Sequence, residues 1–149
     1  MADMTDGERI AEERIAEAAR TGRDWLDLGD LDLARLPEAL SKLTKLKRLS
    51  LGGWFQVSAE GWDLREGARE RRILSDISVI SNLSELEELY IERTQVSDLS
   101  PIAGLQQLQS LSCRETKVSD LTPIAGLRQL QYLYCSGTKV SDLTPIAGL

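Results

Sequence analysis

From Leu83 to Leu149 the apolar residues recur in a frame of 22 residues. Three segments fit it: LSELEELYIERTQVSDLSPIAG from Leu83, LQQLQSLSCRETKVSDLTPIAG from Leu105, and LRQLQYLYCSGTKVSDLTPIAG from Leu127. Their common form is LxxLxxLx(I/C)xxTxVSDL(S/T)PIAG, and TKVSDLTPIAGL appears unchanged at 116–127 and 138–149. Within LEELYIE, Leu86, Leu89 and Ile91 are predicted to point inward and Glu88, Tyr90 and Glu92 outward, the alternation of a half-buried strand. A period of roughly 20 to 29 residues signals a solenoid, in which one coil cannot bury its own apolar edge and a neighbour must cover it. The expected columns are Leu89, Leu111 and Leu133, and beside them Ile91, Cys113 and Cys135.

This motif resembles the leucine-rich repeat family in its 22-residue variant with a proline in the convex turn, as in internalin-like proteins. The resemblance covers roughly residues 25 to 149. It implies an α/β fold: a right-handed horseshoe solenoid with a parallel β-sheet on the concave face, short helical turns on the convex face and an N-terminal capping helix. It also implies a protein partner bound on the concave face.

The rest of each coil reads as punctuation. Thr94, Thr116 and Thr138 offer a hydroxyl to backbone groups of the next coil. In (S/T)PIAG, Ser100, Thr122 and Thr144 suit an N-cap, and the following proline suits the first helical position. Gly104, Gly126 and Gly148 suit a left-handed exit. Asp76, Asp98, Asp120 and Asp142 recur in one column, which reads as capping of the adjacent turn more simply than as a calcium ladder.

Upstream, WLDLGDLDLARLPEALSKLTKLKRLSL reads as a longer variant coil. Before it, Thr5 and Glu8 stand at capping-box spacing, Ala11, Ile15, Ala18 and Ala19 form a small apolar face, and Gly22 ends the helix. A polar-faced lid of this kind closes a solenoid end. Its lead into LDL…LP also resembles the leucine-rich repeat regions of Roco-type GTPases, although no GxxxxGK(S/T) loop is present. The expected plan is a single domain: cap 1–24, variant coil 25–51, insertion 52–73 and regular coils 74–149. In the insertion DLREGARERR could form a short helix, weakened by Gly67.

Composition narrows the functions. There is no histidine, which removes the usual triads and most zinc sites, and no motif gathers a nucleophile with a base. An enzyme is not expected, nor a cofactor or a metal. A net charge of -6 argues against nucleic acid, and no apolar run reaches the roughly 18 residues of a membrane span. The acidic start MADMTDGERI lacks the pattern of a signal peptide, so the chain reads as cytoplasmic. Cys113 and Cys135 are then expected to be free thiols.

Candidate contacts follow from the outward strand positions: Arg48, Ser50, Glu88, Tyr90, Glu92, Ser110, Ser112, Arg114, Tyr132, Tyr134 and Ser136. Tyrosine supplies rigid, amphipathic contact area. The insertion adds Trp54, Phe55 and Trp62, which either seal the solenoid flank or meet the partner. The last coil would leave Leu133, Cys135, Val140 and Leu143 with an uncovered flank, so more repeats or self-association through that end is expected. The alternative is a regulatory segment of a larger signalling protein such as a Roco-type GTPase.

Overall fold

The computed structural model describes residues 4–52, 54–58, 61–64 and 73–149. The chain opens with α1 (Asp6–Thr21), closed at its start by the expected capping box: the Glu8 N–H donates to Thr5 Oγ1 at 3.1 Å and the Thr5 N–H to Glu8 Oε2 at 3.0 Å. Gly22, at φ 69°, ends it in the left-handed conformation that glycine tolerates. Ala11, Ile15 and Ala18 are buried, whereas Ala19 is exposed, because the helix presents only a narrow stripe to the first coil. Arg14 locks the cap in place. Its guanidinium donates to the Asp27 carbonyl at 2.8 Å and to both Asp30 oxygens at 2.7 and 3.1 Å.

The solenoid follows: β1 (Trp25–Asp27), β2 (Arg48–Ser50), the hairpin strands β3 (Trp54–Ser58) and β4 (Gly61–Leu64), then β5 (Glu88–Tyr90), β6 (Ser110–Ser112) and β7 (Tyr132–Tyr134). Five of these strands form one parallel sheet in the order β1-β2-β5-β6-β7, a right-handed leucine-rich repeat solenoid. The register stacks Leu26, Leu49, Leu89, Leu111 and Leu133 in one column. All but Leu133 are completely buried. Each such side chain contributes about 1.5–3 kcal/mol relative to exposure.

The convex side is made of 3-10 turns at Glu38–Lys42, Ser78–Asn82, Ser100–Ile102, Thr122–Ile124 and Thr144–Ile146. Their caps correct the expectation. Ser100, Thr122 and Thr144 lie inside the turns, and the carboxylates of Asp98, Asp120 and Asp142 accept their backbone N–H groups, each at 2.9 Å. Asp76 does the same for Ser78 at 2.9 Å. The aspartate column is therefore a set of Asx caps.

Left-handed backbone also lies elsewhere than expected. Gly104, Gly126 and Gly148 have no positive φ; the equivalent residues Arg93, Glu115 and Gly137 do, at 60°, 54° and 72°. This bend follows the strand, and only the last coil gives it the residue best suited to it. The threonines act within their own coil rather than on the next one. Thr94 Oγ1 donates to the Ile91 carbonyl at 2.8 Å and accepts from the Val96 N–H at 3.4 Å, and Thr116 repeats this at 2.7 and 3.4 Å.

Within the insertion residues 54–58 and 61–64 are strands. β3 and β4 pair antiparallel, Trp54 with Leu64, Phe55 with Asp63 and Gln56 with Trp62. The helix considered for DLREGARERR does not begin at its first two residues, which belong to β4; residues 65–72 lie outside the described residues.

Candidate functional site: the outward face of the parallel sheet

Because consecutive strands pair without offset, the outward residues fall into rows. One row runs Trp25, Arg48, Glu88, Ser110, Tyr132, and the next runs Asp27, Ser50, Tyr90, Ser112, Tyr134. Neighbours in a row stand roughly 4.8 Å apart, so a large side chain covers a small one beside it. This sorts the candidates. Tyr132 and Tyr134 are 55% and 38% exposed. Arg48, Glu88, Tyr90 and Arg114 are half-buried, and Ser136 is exposed.

Ser50, Glu92 and Ser112 are not available as surface contacts, and neither is Ser110: all four are buried. Ser112 sits between Tyr90 and Tyr134, and Ser50 beside Tyr90, so the outward direction alone does not bring them to solvent. Glu92 is hemmed in by close backbone. A Cβ on Gly52 would collide with the Glu92 backbone, and one on Gly29 with the Gly52 carbonyl. Those glycines are needed because consecutive coils nearly touch at that level. Trp54, Phe55 and Trp62 lie on the hairpin strands; their side chains fall outside the described residues.

Tyr90 is a fixture more than an anchor. Its hydroxyl donates to Glu88 Oε1 at 3.1 Å. Burial first, and then the nearby Glu88 carboxylate, push its phenol well above the ordinary range, so it stays protonated. Arg48 Nη2 lies 3.5 Å from Asp24 Oδ1. Arg114 stacks on Tyr134, its Cζ 4.7 Å from the ring centroid. A second stack was missed in the sequence: Arg23 Cζ lies 4.3 Å from the centroid of Trp25. The signal was there, since residues two apart on an alternating strand share a face.

Among the described residues no group of three or more His, Cys, Asp or Glu side chains could hold a metal ion. No helix among them is long and apolar enough to cross a membrane. Cys113 and Cys135 are free, and burial pushes the Cys113 thiol up to about 12.

A family model described as leucine-rich repeats (2 copies) matches residues 106–148. No curated protein matches the chain. Among solved structures, an internalin C2 from Listeria monocytogenes is similar with 27% identity and a TM-score of 0.71, over 91% of this chain and 51% of that one. An internalin F from the same organism is similar with 33% identity and a TM-score of 0.54, over 74% of this chain and 34% of that one. The chain thus spans about half the length of the first and a third of the second. These relatives overturn the cytoplasmic reading, because internalins are secreted or surface-associated bacterial proteins. The acidic first residues describe only the stretch of sequence in hand, and they were the wrong basis for a compartment.

Proposed function

Since the chain is a leucine-rich repeat domain related to bacterial internalin-type repeats, we propose that it is a non-enzymatic protein–protein interaction module whose partner docks on the concave, outward face of its sheet. One observation carries this reading: Tyr132 and Tyr134 stand exposed on β7, beside the buried Ser110 and Ser112 of β6. Rigid tyrosines have few rotamers to lose, so less of the contact energy is offset by ordering. Half-buried Arg48, Glu88, Tyr90 and Arg114 form the surround. The mutated face tests it. Tyr132→Ala with Tyr134→Ala should weaken partner capture at least ~30-fold if each tyrosine contributes about 1–2 kcal/mol. Gln107→Ala, exposed in the turn that precedes β6, should leave capture unchanged. The reverse pattern rejects the proposal.

We place the regular coils in the 22-residue, internalin-like class on their spacing, with the whole chain as one domain divided at 24, 51 and 73. The hairpin bearing Trp54, Phe55 and Trp62 is assigned an assisting role in recognition; replacing residues 52–73 by a short connection should then weaken binding while the coils still melt cooperatively. The two internalins lend no support to the Roco-type alternative or to its cap. Self-association is a second reading. It rests on Leu143 and Leu149, exposed at 57% and 47%, and a chain that sediments as a monomer at every concentration rejects it.

A further inference from the structure

Two arginines on the outward face are built alike. The Arg23 guanidinium lies over the Trp25 ring and that of Arg114 over the Tyr134 ring, and in each the Nε is buried without a hydrogen-bond partner. Neither belongs to an ion pair among the described residues. Other arginines do: Arg9, Arg14, Arg48 and Arg93 approach carboxylates at 3.1, 2.7, 3.5 and 2.6 Å. An aromatic ring holds a guanidinium in place through its face while satisfying none of its five N–H donors. What remains is an oriented fork with unspent donors, which is the shape that takes a carboxylate through paired hydrogen bonds.

Their placement defines the partner further. Arg23 precedes β1, at one edge of the sheet, and Arg114 follows β6, one strand in from the other edge, so they are three strand spacings apart and separated sideways by about 14 Å. Between them stand the half-buried Asp27 and Glu88, with Arg48 beside Glu88 in its row and the buried Glu92 in line with Arg114. Arg48 is already taken by the Asp24 carboxylate at 3.5 Å, so an acidic group docked in the middle would meet the like charge of Glu88. Resting on the concave-face reading above, we propose that Arg23 and Arg114 are carboxylate receptors, and that the partner is a protein segment with two acidic side chains separated by a neutral stretch. At roughly 3.3 Å per extended residue, the two acids stand at least about four positions apart.

The test uses the full chain and a phage library of random twelve-residue peptides as probe. Binders are expected to carry two Asp or Glu residues at least four positions apart with no acid between them. Synthetic copies should lose about tenfold in affinity when either acid becomes its amide. They should lose about as much against Arg23→Lys or Arg114→Lys, because lysine keeps the charge but not the fork. The acid-to-amide peptides are read on the unaltered protein, so the test survives a variant that misfolds. Binders that weaken with Tyr132→Ala yet ignore both the amide and lysine changes overturn the receptor assignment and leave the concave-face reading standing. Binders indifferent to Tyr132→Ala as well count against both, and a library that yields no binder overturns the assignment.

Discussion

The twelve residues at 116–127 and those at 138–149 are identical in sequence and differ in burial. Val118, Leu121, Ile124 and Leu127 are 0–1% exposed, whereas Val140 and Ile146 are half-buried and Leu143 and Leu149 are 57% and 47% exposed. Local structure is preserved all the same. Thr116 and Thr138 donate to the carbonyls of Cys113 and Cys135 at 2.7 and 2.6 Å, and Asp120 and Asp142 cap their turns at 2.9 Å. The coil's shape is thus written in its own letters, while its burial comes from the next coil. Stability in such an array is a sum of coil terms and nearest-neighbour interface terms.

Changing the same leucine in the two copies separates these contributions. Leu121→Ala opens a cavity in a filled interior and should cost about 2–5 kcal/mol. Leu143→Ala removes a side chain that is mostly in solvent and should cost under ~0.5 kcal/mol, by chemical denaturation of each variant. Equal losses would mean that the last coil is packed as tightly as the one before it.

The buried threonines sharpen the comparison at a smaller scale. Thr116→Val leaves the Cys113 carbonyl and the Val118 N–H without their hydroxyl partner in a closed interior, an expected cost of about 1–3 kcal/mol. At Thr138, half-buried, water can take over, and the same change should cost less than half as much. Thermal melting of the two variants side by side reads the difference.

Acid should act on the turns of both copies alike. The Thr122 and Thr144 hydroxyls and then their backbone N–H groups hold the Asp120 and Asp142 carboxylates below their ordinary value of 3.8, as the Ser78 N–H and then its hydroxyl do for Asp76. A carboxyl with a depressed folded value contributes stability that is present above the unfolded value and lost as pH falls through the folded one. Melting temperature should therefore drop as pH is lowered below about 4. It should drop less in a chain carrying Asp120→Asn and Asp142→Asn.

The gentlest probe is chemical. Iodoacetamide on the native protein should modify Cys135 and leave Cys113 untouched, since Cys113 is completely buried and its thiol is pushed up to about 12. Equal labelling would show that the outer coil opens together with the inner one.

Much of the fold was legible because it repeats. Leu89, Leu111 and Leu133 stack as the spacing requires, and Thr5 with Glu8 makes its capping box. Capping detail was less legible: Ser, Thr and Asp all suit an N-cap, and only the path of the chain decides that Asp98 caps and Ser100 is capped. The site was read in outline. Outward alternation located the rows, but not that Tyr90 and Tyr134 would cover Ser112, because side-chain cover depends on the neighbouring strand. Gly137 marked the left-handed bend in one coil only, while Arg93 and Glu115 hold it without the telltale residue.

The most direct test of this division between local shape and neighbour-given burial is amide hydrogen exchange followed residue by residue by NMR, which tells the two identical segments apart. Slow exchange at Val118 and Ile124, close to the rate of global unfolding, with exchange at Val140 and Ile146 faster by about a hundredfold or more, is the predicted result. Equal protection of the two segments would contradict it.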